Sequence, residues 1–147
     1  MNIRLAGLAA LACCVAGVAI ARAEVDVIAI HKAGMDLQGA ALGAANQALK
    51  AGVDVKSLAN TGSAIAAWAK QIPSVYPPEA NKGEPFTKAL PLIWTDNAGF
   101  TKAAANLGAA ADKLTAAAKA EDKAAFADAL KEVGEACGAC HKTYRAK

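Results

Sequence analysis

The sequence predicts an all-α fold, an antiparallel up-and-down four-helix bundle, and three observations carry that expectation. Apolar residues recur in steps of three and four along four segments, and no stretch alternates with period two. Two short links and one longer one join the segments, which suits antiparallel neighbours. The hydrophobic fraction is 55% while the aromatic fraction is only 5%, so alanine, the best helix former, supplies much of the apolar count. A core with so few large side chains leaves apolar volume that a bound cofactor could fill. The four segments share no repeating residue pattern, which argues against a solenoid.

Residues 1–23 read as a cleavable signal peptide and residues 24–147 as the bundle domain. Met1 to Arg4 is a short basic start, Leu5 to Ile20 a nearly unbroken apolar run, and Ala21-Arg22-Ala23 an A-x-A cleavage site. The run is too short and too weakly flanked for a membrane span. Cys13, with Ala10 three residues before it, is a poor lipidation site. The expected destination is the periplasm. Loss of Arg4 and Arg22 lowers the net charge from +3 to +1, so no polybasic face remains to bind nucleic acid. Of the 4 cysteines, only Cys137 and Cys140 survive cleavage, in an oxidising compartment where idle thiols do not persist.

The first helical segment, about Val25 to Lys50, aligns Ile28, His31, Met35, Gln38, Leu42, Ala45 and Leu49. Val27, Ile30, Leu37 and Ala41 form a neighbouring stripe expected to widen the buried face. Gly52 is placed to end this helix and Asp54 to cap the next. The second segment, about Asp54 to Gln71, lines up Leu58, Ile65, Trp68 and Ile72. A crossover, "IPSVYPPEANKGEPFTKALP", then holds all 5 prolines, and connections of this length are often functional. The third segment, about Leu92 to Ala120, carries Ile93, Phe100, Ala104, Leu107, Ala111 and Leu114 on one stripe. Glu121-Asp122 starts the fourth.

That last helix presents Phe126, Leu130, Val133, Cys137, Cys140 and Tyr144 in steps of four and three, with His141 one turn beyond Cys137. The thiols and the imidazole therefore share the inward face. C-x-x-C-H is the attachment signature of c-type haem. Two thiols three apart on one helical face can add to the two vinyl groups along one porphyrin edge, and the adjacent imidazole reaches the iron from the same side. One covalently bound haem c is the expected cofactor. A thioredoxin-like pair belongs beside a strand, and a zinc site would need a fourth ligand, for which His31 is the only other histidine.

The "IWTDNAGF" of Ile93 to Phe100, the alanine-rich third helix and the closing "VGEACGACHKTYR" resemble cytochrome c′ and its class II c-type relatives. Cytochrome c′ is itself a known example of the up-down-up-down bundle. The resemblance covers residues 24–147 and is strongest from Ile93 onward. It implies haem near the C-terminus, with His141 as the proximal ligand of the iron. Met35 falls where the family places the residue over the distal face. Measured along antiparallel helices at about 1.5 Å per residue, Met35 lies roughly 15 Å from its helix start and His141 roughly 9 Å from the chain end. The two thus occupy similar levels.

In low-spin members a methionine at that position ligates iron; in cytochrome c′ proper the distal face is open to small gases. Met35 as core filler is the plain alternative. The first expectation is a periplasmic electron carrier with His141 and Met35 as axial ligands, since Met/His ligation raises the reduction potential. The alternative is a five-coordinate cytochrome c′ that binds NO and CO, and a haem-free bundle is a third reading. The resemblance also implies that Arg145 borders the proximal face and that Trp94 packs at the pocket. His31 stands where the family commonly has arginine; it could meet a haem propionate, sit near the helix surface or, as a further alternative, ligate iron. Gly39, with Gly34 and Gly43, could allow close approach of the flat macrocycle, or could serve helix packing or lie exposed.

Neither a catalytic carboxylate pair, a nucleophile with an adjacent base, nor a phosphate loop is present, which argues against an enzyme. Periplasmic or membrane redox partners and a homodimer through the first two helices are the partners this reading implies.

Overall fold

The computed structural model describes residues 26–78 and 88–147. The expected signal peptide, its expected cleavage site and Cys13 lie outside the described residues. Four long helices form the expected bundle: α1 Val27–Lys50, α2 Ala59–Gln71, α3 Asn97–Lys119 and α4 Lys123–Tyr144. Among the described residues there is no strand, only an isolated antiparallel bridge between Ala89 and Arg145. No described helix is long and apolar enough to cross a membrane.

Local chemistry fixes the helix ends. Asp26 caps α1, its Oδ1 accepting from Ile28 N at 3.0 Å and Ala29 N at 2.9 Å. Gly52 takes a left-handed φ of +75° and turns the chain out of α1. Asp54 does cap the next element, but that element begins as a 3₁₀ turn, Val55–Leu58, before α2 proper. The third segment is not one helix. Leu92–Thr95 forms a single helical turn, and Asp96 then caps α3 by accepting from Gly99 N at 3.2 Å. A side chain that satisfies a free helical N–H restarts the helix there. Asp122 caps α4 in the same way, at 2.9 Å from Ala125 N.

The core lies between α2, α3 and α4. Ile65 and Ile72 on one side, Phe100, Leu107, Ala111 and Leu114 on the second, and Phe126, Leu130 and Val133 on the third are all buried. Alanines at Ala66, Ala69, Ala104, Ala110 and Ala118 let the backbones approach closely. Gly62 marks the tightest approach, since a Cβ there would overlap Thr115 Oγ1 and sit 2.7 Å from Ala111 O.

α1 departs from expectation. It buries only Gly34 and Ala45. Its second apolar stripe does not widen the contact: Ile30 is 43% exposed and Leu37 67% exposed. Both lie on a side of α1 that belongs neither to the cavity wall nor to the buried Gly34 and Ala45. Gly34 fits Trp68, whose indole lies where a Cβ would be. That glycine serves helix packing, while Gly43 faces open space.

Candidate functional site

The cavity, about 720 Å³, opens between α1, the crossover and the end of α4, within the roughly 300–1,000 Å³ typical of ligand pockets. His31, Met35 and Gly39 come from α1, and Cys140, His141 and Arg145 from the C-terminal end. A helical step of four puts His31, Met35 and Gly39 on one face of α1. Phe100 and Ile93 form the apolar floor, both 2% exposed. A Cβ at Gly39 would meet nothing within 4 Å, so this stretch of α1 presents bare backbone to the opening.

Cys137 and Cys140 are free thiols, both half-buried and packed against the core cluster. Burial raises both thiol pKa values, with the neighbouring Cys137 adding to the effect at Cys140. Cys140 reaches the cavity wall; Cys137 is one turn back and is not part of it. Burial, reinforced by the Arg145 cation, lowers the His141 pKa, which favours the neutral imidazole that a metal ligand requires. Among the described residues no group of three or more His, Cys, Asp and Glu side chains forms a metal cage.

The C-terminal wall is tied down by backbone. Leu90 N donates to Tyr144 O at 2.9 Å and Ala146 N to Lys88 O at 2.7 Å, clamping the end of the crossover beside His141. Tyr144 is buried, and its hydroxyl donates to Asp96 Oδ2 at 2.8 Å. Gly99 makes room for that pair, because a Cβ there would overlap Asp96 Oδ2.

His31 is half-buried, its Nε2 2.8 Å from the Tyr76 hydroxyl. Burial, then the nearby His141 and Lys32, lower its pKa against an opposing pull from Asp36. Trp94, expected at the pocket, lies outside the cavity wall. Its indole Nε1 donates to Tyr76 O at 3.2 Å and Pro77 O at 3.1 Å, which anchors the crossover. Tyr76 is the site residue that sequence reasoning missed. The available signal was an aromatic beside the Pro77-Pro78 pair in a long crossover. Lys32 and Lys88, also in the cavity wall, had no comparable signal.

The cytochrome C′ family profile matches residues 26–145. The chain is 35% identical to a cytochrome c′ from Rhodopseudomonas palustris, across 100% of this chain and 99% of that one. It is 38% identical to a cytochrome c-556 from Agrobacterium tumefaciens, across 64% of this chain and 74% of the relative. Among solved structures it matches a cytochrome c′ described as having ligand-controlled dimer dissociation, with TM-score 0.77, 27% identity, and 85% and 100% of the two chains covered. It also matches carbon monoxide-bound and nitric oxide-bound variants of cytochrome c′ from Alcaligenes xylosoxidans. Both have TM-score 0.73 and 25% identity, and cover 83% of this chain; 95% and 94% of the respective neighbours are covered.

Proposed function

The chain belongs to the cytochrome c′ family, whose members bind one covalently attached haem c, and from that premise we propose a periplasmic gas-binding protein with an open distal face. It takes NO and CO and acts as a binding protein, not an enzyme. The observation that carries this reading is the likeness to cytochrome c′ along the whole chain, and the Met35 side chain, packed against the core cluster, is compatible with it. The neighbours solved with carbon monoxide and nitric oxide support it. In this reading Met35 is an apolar cover instead of the iron ligand expected from the sequence.

The residues present fit the group. Cys137 and Cys140 offer two unpaired thiols three residues apart on α4, and His141 offers a neutral imidazole at the cavity wall. Gly39 leaves space on the opposite side. Bound there, the haem would supply a redox-active iron able to take a diatomic gas. Cys137 and Cys140 would hold it covalently, and His141 would ligate its iron. Arg145 would border the His141 side. Phe100 and Ile93 exclude water from the floor.

Met35 opposite His141 favours a second reading, the His141/Met35 electron carrier working with redox partners. A homodimer through the exposed Ile30 and Leu37 of α1 accompanies the first reading; the neighbour with ligand-controlled dimer dissociation supports it.

The test is the ferrous absorption spectrum of wild type and Met35→Leu, made in a haem-c-competent host, before and after adding carbon monoxide. Prompt uptake and a spectrum indifferent to Met35→Leu are expected. Sharp low-spin bands that resist carbon monoxide, and become responsive only in Met35→Leu, would establish the electron carrier instead.

A further inference from the structure

Tyr76 and His31 meet edge to face, ring centroids 4.6 Å apart, with 2.8 Å between the hydroxyl and Nε2. One proton lies between those two atoms, and the other ring nitrogen decides whose it is. His31 Nδ1 is buried without a hydrogen-bond partner among the described residues. A neutral imidazole carries a proton on one nitrogen only. An N–H buried with no acceptor is the rarer and costlier arrangement than a bare lone pair. The tautomer with its proton on Nε2 avoids that orphan, and in it Nε2 donates to the Tyr76 oxygen. Protonating the ring fully would create the same orphan N–H, and burial beside His141 and Lys32 already disfavours it.

The Tyr76 hydroxyl is left with its own hydrogen. Burial raises its pKa far above the usual phenol range, with Cys140 adding to the effect, so that hydrogen stays on oxygen. Trp94 anchors the Tyr76 backbone through its carbonyl, and Phe100 meets the ring edge-on with centroids 5.2 Å apart. Tyr76 lines the cavity together with Cys140 and His141.

We propose that Tyr76 is a hydrogen-bond donor to an oxygen acceptor on the group that fills this cavity, with His31 as the residue that positions it. This rests on the haem-binding reading above and deepens it. Two sources share the required chemistry, a haem carboxylate and a diatomic gas bound at the iron.

The experiment uses haem-loaded wild type, Tyr76→Phe, His31→Leu and His31→Gln. The C–O stretching band of the ferrous carbon monoxide adduct and the midpoint potential are measured for each. A donor to the bound gas gives an upward shift of the band in Tyr76→Phe. A donor to the carboxylate leaves the band in place and lowers the midpoint, because the uncompensated negative charge favours ferric iron. In either case His31→Leu should follow Tyr76→Phe, and His31→Gln, which keeps an N–H donor, should restore the wild-type value. If carbon monoxide does not bind, the gas-binding reading falls and the midpoint alone decides for or against Tyr76. A band and midpoint both unmoved by Tyr76→Phe overturn the proposal.

Discussion

Gly34 and Gly43 offer the same chemical change on one helix with opposite expected outcomes. Glycine in a helix interior costs about 1 kcal/mol relative to alanine. At Gly43 a Cβ would meet nothing within 4 Å, so Gly43→Ala should recover that amount. At Gly34 the same Cβ would lie 2.6 Å from Trp68 Cε2 and closer still to Cζ2 and Cη2. An indole is rigid, so it must move as a body or push α1 away. Overpacking of this kind costs about 1–3 kcal/mol, which cancels or exceeds the helical gain and leaves a net loss of up to about 2 kcal/mol.

Urea unfolding of the holo protein followed by far-ultraviolet circular dichroism would measure both variants. At about 3–5 °C per kcal/mol, thermal midpoints should move up for Gly43→Ala and stay level or fall for Gly34→Ala. Trp68→Phe should relieve the penalty at Gly34 and leave Gly43→Ala unaffected. Gly34→Ala as stabilising as Gly43→Ala would refute the reasoning, since α1 would then have slack against α2.

At Gly62 the obstructing atoms include the Ala111 backbone carbonyl, which cannot swing aside. Gly62→Ala should therefore destabilise by up to about 2 kcal/mol once the helical gain is subtracted, seen as a lower urea midpoint with unchanged slope. Tyr144 gives a pH signature: its hydrogen bond to Asp96, with burial second, pushes the phenol pKa up to about 12. The stabilisation is complete below about pH 10, the unfolded phenol value, and is lost as pH rises through about 12. Thermal melts across that alkaline range should fall steeply in wild type and less so in Tyr144→Phe.

The sequence by itself determined the four helices, their caps at Asp54 and Asp122, and the thiol and imidazole spacing on α4. These are local facts, set by the 3.6-residue period and by side chains that reach backbone groups a few residues away. Even the break at Asp96 follows from a local cap, masked in the sequence by the apolar period running through it. What only the tertiary structure decided was which side of each element met a neighbour. The three glycines of α1 read alike in sequence, yet one receives an indole, one borders the cavity and one faces solvent. The stripe of Ile30 and Leu37 has the apolar character of a core stripe but stays exposed among the described residues, because α1 packs through the side that carries Gly34 and Ala45. Tyr76 reaches His31 across 45 positions of chain, and no periodicity encodes such a meeting. It depends on how the crossover is anchored by Trp94, an interaction that exists only once the helices have packed.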